Sequence, residues 1–257
     1  MRKSTPQRGI ERHGLPGRLI VSLTSYPDRY ATLSLTIKCL LSQSVLADCT
    51  VLWVSAEDAR KLPEDVLALR SHGLTIAECD DIGSYKKIIP ALRAYADCNI
   101  VTADDDHYYP PDWLATLVRG QHERPGAIAC HTARVIQFGD QGELLQYRFW
   151  PLATTADKGP LLPTGYGGIL YPPGSLPEET LDETAFRELS PTADDLWLRW
   201  MSGRRGVDVH MVPDGRPLLE WHGSQRLNLL RYNIYNGGND RQIKRLVERY
   251  GLEFLRV

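Results

Sequence analysis

Asn99-Ile100-Val101-Thr102-Ala103-Asp104-Asp105-Asp106 is a short strand-like run that ends in three consecutive carboxylates. So much like charge in one place normally needs a cation. Where strands and helices alternate along a chain, a strand that ends in aspartates puts them at the carboxyl edge of a parallel sheet, the edge where α/β proteins bind ligands. Hard carboxylate oxygens there suit Mg²⁺ or Mn²⁺, an ion that shares its remaining coordination sites with substrate phosphates. A solvated turn or a helix cap is the plainer explanation of an acidic triplet, so the flanking sequence has to decide.

Upstream, the alternation is clear. Leu19 to Leu23 reads as a strand and Tyr30 to Ser42 as a helix, with Leu33, Ile37, Leu40 and Leu41 at helical spacing. Val51 to Val54 is the next strand. Glu57 to His72 is a helix broken by Pro63, Leu74 to Ile76 a strand, Tyr85 to Ala96 a helix, and Asn99 to Ala103 the strand that feeds the triplet. Repeated strand–helix units predict a parallel sheet with right-handed crossovers. Downstream the rhythm changes. Pro110-Pro111-Asp112 opens a helix through Gly120, and Ala127 to His131, Arg134 to Phe138 and Leu144 to Tyr147 read as short antiparallel strands around the turn Gly139 to Gly142. Beyond Trp150 comes a long loop, then the glycine-rich Thr164-Gly165-Tyr166-Gly167-Gly168-Ile169-Leu170-Tyr171-Pro172-Pro173. A helix follows from about Thr192 to Ser202, and Asn228 to Arg249 makes one or two amphipathic helices split around Gly237-Gly238.

With 257 residues the chain can bury a substantial core. Its 30 basic and 32 acidic side chains nearly cancel, so no overall field points to nucleic acid or an anionic membrane. No window approaches the run of about 18 apolar residues needed to cross a bilayer, and the N-terminus lacks a secretion core. The chain therefore reads as a soluble cytoplasmic protein, with peripheral association at the inner face of a membrane left open. Cys39, Cys49, Cys79, Cys98 and Cys130 lack CxxC spacing, which argues against a zinc site or a disulfide framework. The expected organisation is a flexible leader over 1–17, one domain over 18–223 divided near residue 125, and a helical extension over 224–257.

Five segments carry the chemistry. They are Ser22-Leu23-Thr24-Ser25-Tyr26-Pro27 after the first strand, Asp80-Asp81-Ile82-Gly83-Ser84-Tyr85-Lys86-Lys87 before the third helix, the triplet with Tyr109-Pro110, the Gly-Gly-Ile-Leu-Tyr-Pro stretch, and Ala193-Asp194-Asp195-Leu196-Trp197. In this order they resemble the GT-A class of nucleotide-sugar-dependent glycosyltransferases, most of all the bacterial family-2-like enzymes of capsule and surface-polysaccharide synthesis. The resemblance covers the chain from Arg18 to about Gly203.

It implies a GT-A, Rossmann-like α/β fold and transfer of a sugar from a nucleotide donor, UDP-sugar by preference, to a saccharide or lipid-linked acceptor with inversion. The Asp-x-Asp motif falls on Asp104 and Asp106, two residues apart and so on one side of an extended backbone. Asp106 is assigned to the Mg²⁺ or Mn²⁺ ion, Asp104 to the ribose or to the metal with its water shell, and Asp105 is counted with the nucleotide contacts. His107 can reach the same ion or act as a surface residue. Lys87 is assigned to the donor diphosphate, Asp80 or Asp81 to the base, and Thr24 and Tyr26 to base or ribose; an N-cap followed by solvated lysines explains Asp80 to Lys87 equally well. Tyr166 would stack on a sugar face beside Gly167 and Gly168, whose bare backbone admits a sugar closely. Asp195 is the expected general base, Asp194 its cap or acceptor ligand, with the reverse open. His222, in Trp221-His222-Gly223, is a late metal ligand or a structural histidine. Arg226, Asn233, Asn236 and Asp240 suit an acceptor, a partner or a solvated face. A glycoside hydrolase using a carboxylate pair, or a non-catalytic nucleotide- or sugar-binding module, is the alternative.

Overall fold

A computed structural model describes residues 11–157, 159–213, 218–224, 233 and 237–255. In chain order these form β1 (Glu11–Arg12), β2 (Leu19–Thr24), α1 (Tyr30–Leu41), β3 (Val45–Leu46), β4 (Cys49–Val54), α2 (Ala56–Ala59), α3 (Glu64–Leu67), β5 (Leu74–Glu78), α4 (Ile89–Ala94), β6 (Asn99–Ala103) and β7 (His107–Tyr108). The second half adds α5 (Trp113–Glu123), β8 (Ile128–Cys130), β9 (Ala133–Val135), β10 (Leu161–Pro163), β11 (Ile169–Tyr171), α6 (Glu183–Leu189), α7 (Asp194–Arg204), β12 (Val209–Met211), β13 (Leu219–Glu220) and α8 (Gly238–Tyr250).

The main sheet has seven strands in the order β12-β8-β11-β6-β2-β4-β5. The block β6-β2-β4-β5 is parallel throughout. Strands buried on both faces explain why β2 and β6 read as near-continuous apolar runs. Alternation sends their side chains to two cores. Ile20, Val51 and Ile100 face one core, which α7 and α8 close with Trp197, Trp200 and Leu246. Val21, Leu52 and Val101 face the other, closed by Leu33 and Ile37 of α1 and Leu117 of α5. The result is a three-layer α/β arrangement.

Two local signals act where the sequence places them. Ser55 caps α2 by accepting the amide of Asp58 at 3.2 Å, and Pro63 sits at the N-cap of α3, separating the two short helices.

The antiparallel part departs from the expected succession of neighbouring strands. β8 enters the main sheet between β11 and β12, antiparallel to the former and parallel to the latter. β9 pairs instead with β10 in a separate ribbon. Of the third expected strand, Leu144 keeps one antiparallel bridge to Phe138, across the Gly139–Gly142 turn. Short apolar runs show that a segment is extended and buried, and leave its partner undetermined; here partners far away in sequence win.

The described end of the leader is docked. β1 pairs in parallel with β3, His13 Nε2 lies 3.0 Å from Asp48, and Leu15 is buried. Among the described residues no helix is long and apolar enough to cross a membrane. Of the expected tail, 228–232 and 234–236 lie outside the described residues, and the part from Gly238 onward is α8.

Candidate functional site

β2 and β6 are neighbours in register, Leu23 opposite Ala103. The chain leaves β2 toward β4 on one side of the sheet's centre and returns from β5 to β6 on the other, so their carboxyl ends bound a crevice at a switch in strand order. Such crevices are where open α/β sheets take ligands. Two loops meet there, Ser25 to Arg29 after β2 and Asp104 to Asp106 after β6. A third segment, the 3₁₀ turn Gly83–Lys87, is pinned over the same edge: Ser22 Oγ donates to the Lys87 carbonyl at 2.6 Å and takes the Trp53 indole N–H at 3.0 Å.

The three aspartates diverge. Asp104 Oδ1 accepts from Lys87 Nζ at 2.9 Å, and its backbone amide donates to the Tyr109 hydroxyl. Asp105 turns toward the first loop, where Ser25 Oγ donates to it at 2.5 Å and Arg29 stands 3.3 Å away. Burial pushes its carboxyl up to about 7 against the pull of Arg29 and Ser25. Asp106, almost fully buried, meets the Arg29 guanidinium through Oδ2 and lies 2.6 Å from His107 Nδ1 through Oδ1.

Asp104, Asp106 and His107 each offer one ligand atom, and these atoms lie within 4.8 Å of one another. Two carboxylate oxygens and an imidazole suit Mn²⁺, and Mg²⁺ less closely. His107 supplies the test of fit: it is 4% exposed, and its Nδ1 stands beside Asp106 without hydrogen-bond alignment to any described partner. Burial works against its charge, but Asp106, Asp104 and Glu220 outweigh it and hold its pKa above the ordinary value. His222 is exposed in the turn after β13 and is not in this cluster. What pins His107 is the ribbon β7–β13, where it pairs with Glu220, and Thr36 Oγ1, which donates to the carbonyls of Asp105 and His107. Neither tie has a local sequence signal.

Lys87 is the buried centre of the other half of the site. Its Nζ lies 2.9 Å from Asp104 and 3.2 Å from Asp194. Burial disfavours the ammonium, yet Asp104, Asp194 and Asp195 outweigh it and raise its pKa well above the ordinary value. Lys86 points elsewhere, to Asp81 at 3.0 Å. Asp195, half-buried at the start of α7, accepts the Gly165 amide at 3.0 Å. A Cβ on Gly165 would come 2.8 Å from Lys87 Nζ and 3.1 Å from Asp195 Oδ1, so this glycine is what lets the strand pass so close.

Burial, and Asp194 beside it, push the Asp195 carboxyl from 3.8 up to about 7. A raised carboxyl pKa favours the protonated folded state, so this group's contribution to stability is lost as pH climbs from about 4 to about 7. Asp195→Asn carries no such charge. It should gain on the wild type by on the order of 1 kcal/mol between pH 5 and pH 8, read as a Tm difference that grows with pH. An equal difference at both pH values would show that Asp195 is ionised throughout.

Other expected residues lie as follows. The Gly167 and Gly168 positions are filled from inside: a Cβ there would meet Thr132 Oγ1 at 2.3 Å and the Trp113 ring at 2.4 Å, and Gly168 has φ +96°. Internal packing thus accounts for both glycines. Tyr166, half-buried, holds its ring 5.9 Å from that of His107. Thr24 Oγ1 donates to the Trp53 carbonyl, and the Tyr26 hydroxyl accepts from Arg29 Nε at 3.2 Å. Asp80 is exposed, while Asp81 takes the Gly83 amide at 3.4 Å and Lys86; no side chain caps the Gly83–Lys87 turn, and Lys86 and Lys87 are buried rather than solvated. Asn233 bonds Thr192, and Asp240 accepts the Tyr147 amide at 2.7 Å; both polar groups serve internal loops. Arg226 and Asn236 lie outside the described residues. The sequence reading missed Arg29, Ser25 and Gly165, although Arg29 could have been suspected as a cation set after the first strand.

No protein-family model matches the chain, and no curated protein sequence matches it. Among solved structures it is similar to a 4-diphosphocytidyl-2C-methyl-D-erythritol synthase, at 13% identity and TM-score 0.50, over 88% of this chain and 100% of that one. It is also similar to the inositol-1-phosphate CTP transferase from T. maritima, at 15% identity and TM-score 0.48, over 90% of this chain and 97% of that one. The mostly parallel, Rossmann-like α/β fold is the one expected. The expected sugar transfer is corrected: the solved structures that share this fold are a 4-diphosphocytidyl-2C-methyl-D-erythritol synthase and a CTP transferase, not glycosyltransferases.

Proposed function

We propose that this chain is a metal-dependent nucleotidyltransferase, joining the nucleoside monophosphate part of a nucleoside triphosphate to the phosphate of a phosphorylated small molecule. The observation that carries this reading is the setting of Lys87, a buried cation held between Asp104 and Asp194 beside the Asp104–Asp106–His107 ligand set. A fixed cation beside hard ligands at the switch-point crevice is what a triphosphate needs.

The chemistry balances without a protein base. An oxygen of the acceptor phosphate bonds to the α-phosphorus, and the bond from that phosphorus to the α,β-bridging oxygen breaks, its electron pair leaving with pyrophosphate. A phosphate monoester, with its second pKa near 6, already carries the attacking charge at neutral pH. Asp195 therefore has no proton to remove, which agrees with its engagement by the Gly165 amide. Asp194 and Asp195 act on Lys87, holding its ammonium toward the crevice. Asp104, Asp106 and His107 would hold the divalent ion, which when bound neutralises phosphate charge. Lys87 meets the leaving pyrophosphate.

The test is pyrophosphate release with Mg²⁺ or Mn²⁺ across the four nucleoside triphosphates and a panel of polyol and sugar phosphates, with CTP first because the fold neighbours use or build cytidylyl groups. The expected result is release that requires both acceptor and metal, with a nucleotide-linked product by mass spectrometry. Release of a nucleoside diphosphate from a nucleotide sugar, or no acceptor-dependent release, would overturn the reading.

A further inference from the structure

Arg29 ends the 3₁₀ turn Pro27–Arg29, which puts its side chain in the crevice between β2 and β6. Its guanidinium contacts Asp106 Oδ2 and lies 3.3 Å from Asp105 Oδ1, and it sits over the Tyr26 ring at 5.6 Å. Asp106 is at the same time one of the three residues placed to hold a divalent ion. One buried carboxylate is thus claimed by an arginine and a metal. Two cations on one carboxylate repel each other strongly where water is scarce.

We infer that Arg29 is a displaceable counter-ion, which neutralises Asp106 until a divalent cation binds and then turns its planar fork to the phosphates of the nucleotide. This rests on the metal-and-nucleotide reading of the site. The exchange costs little charge imbalance: the ion takes over the carboxylates, and Arg29 trades a carboxylate for a phosphate, the two groups its fork fits equally well. The turn has few residues to move and no strand hydrogen bonds to break. Metal and nucleotide then assist each other, because each removes the cost the other would meet, and by linkage the assistance is mutual.

The experiment is a titration with Mn²⁺ alone, free ion being read by electron paramagnetic resonance, on wild type, Arg29→Met and Arg29→Lys. Without its competitor, Arg29→Met is expected to bind Mn²⁺ about tenfold more tightly, and Mn²⁺ should raise its Tm more than that of the wild type. Arg29→Lys, which keeps the charge, should stay within about threefold of wild type. If Arg29→Met alone does not fold, the pair Arg29→Met with Asp105→Asn removes a carboxylate that is not in the ligand set, and is compared with Asp105→Asn by itself. Mn²⁺ binding by wild type with equal or weaker binding by the methionine variants overturns the role of Arg29 and leaves the metal site standing. No Mn²⁺ binding by any variant overturns both.

Discussion

Lys87→Met should cost about 3–5 kcal/mol of stability. Lys87 is 7% exposed, and its ammonium is shared between Asp104 and Asp194 with Asp195 close behind. Methionine matches the length of the side chain and leaves those carboxylates buried around an apolar tip. The penalty is that of uncompensated buried charge, which exceeds what the ion pairs add when intact. The double variant Lys87→Met with Asp194→Asn should therefore recover a large part of the loss in chemical denaturation, since it removes one of the stranded charges. If the double variant is no more stable than the single one, the lysine contributes by packing and the electrostatic account fails. Transfer activity should be lost in both, because neither restores a cation to the crevice.

Asp106→Asn should lower kcat/KM by about a thousandfold, the size expected when several kcal/mol of metal-borne charge stabilisation disappears. An amide cannot supply the anionic oxygen that Mg²⁺ or Mn²⁺ prefers. The fold should survive: Arg29 keeps Asp105 at 3.3 Å, and the Asp106 carbonyl still accepts the Trp221 amide at 2.9 Å. Unchanged circular dichroism with weakened Mn²⁺ binding and lost turnover is the expected pattern. Metal-stimulated turnover at the wild-type rate would remove Asp106 from the ligand set.

Much of the framework was legible because it is written locally. The period of the apolar residues gave β2, α1, β4, β5 and β6 to within a few residues, and Pro63 divided its helix as the missing amide requires. A strand buried on both faces and ending in aspartates was enough to place Asp104 and Asp106 at the carboxyl edge of the parallel strands. The remainder depends on distant pairings. Nothing near Asp105 says that it turns to Ser25 and Arg29, because those contacts join residues 80 and 76 positions apart. Gly167 and Gly168 looked like open backbone, yet their space is taken by Thr132 and Trp113, which only the packed structure reveals. His107 and His222 were equally plausible as ligands by residue type; the β7–β13 ribbon, absent from any local pattern, buries one and leaves the other at the surface. The reaction itself was read from a likeness of motifs, and motifs that hold nucleotide phosphates do not specify which phosphorus or carbon is attacked.

The position of β11 has a consequence for synthesis of the chain. It lies antiparallel between β6 and β8, so the sheet's seam beside β6 cannot close until Ile169 to Tyr171 have emerged from the ribosome. At about 5–20 residues per second, that leaves the open flank of β6, backbone groups unpaired, for several seconds after the strand itself is made.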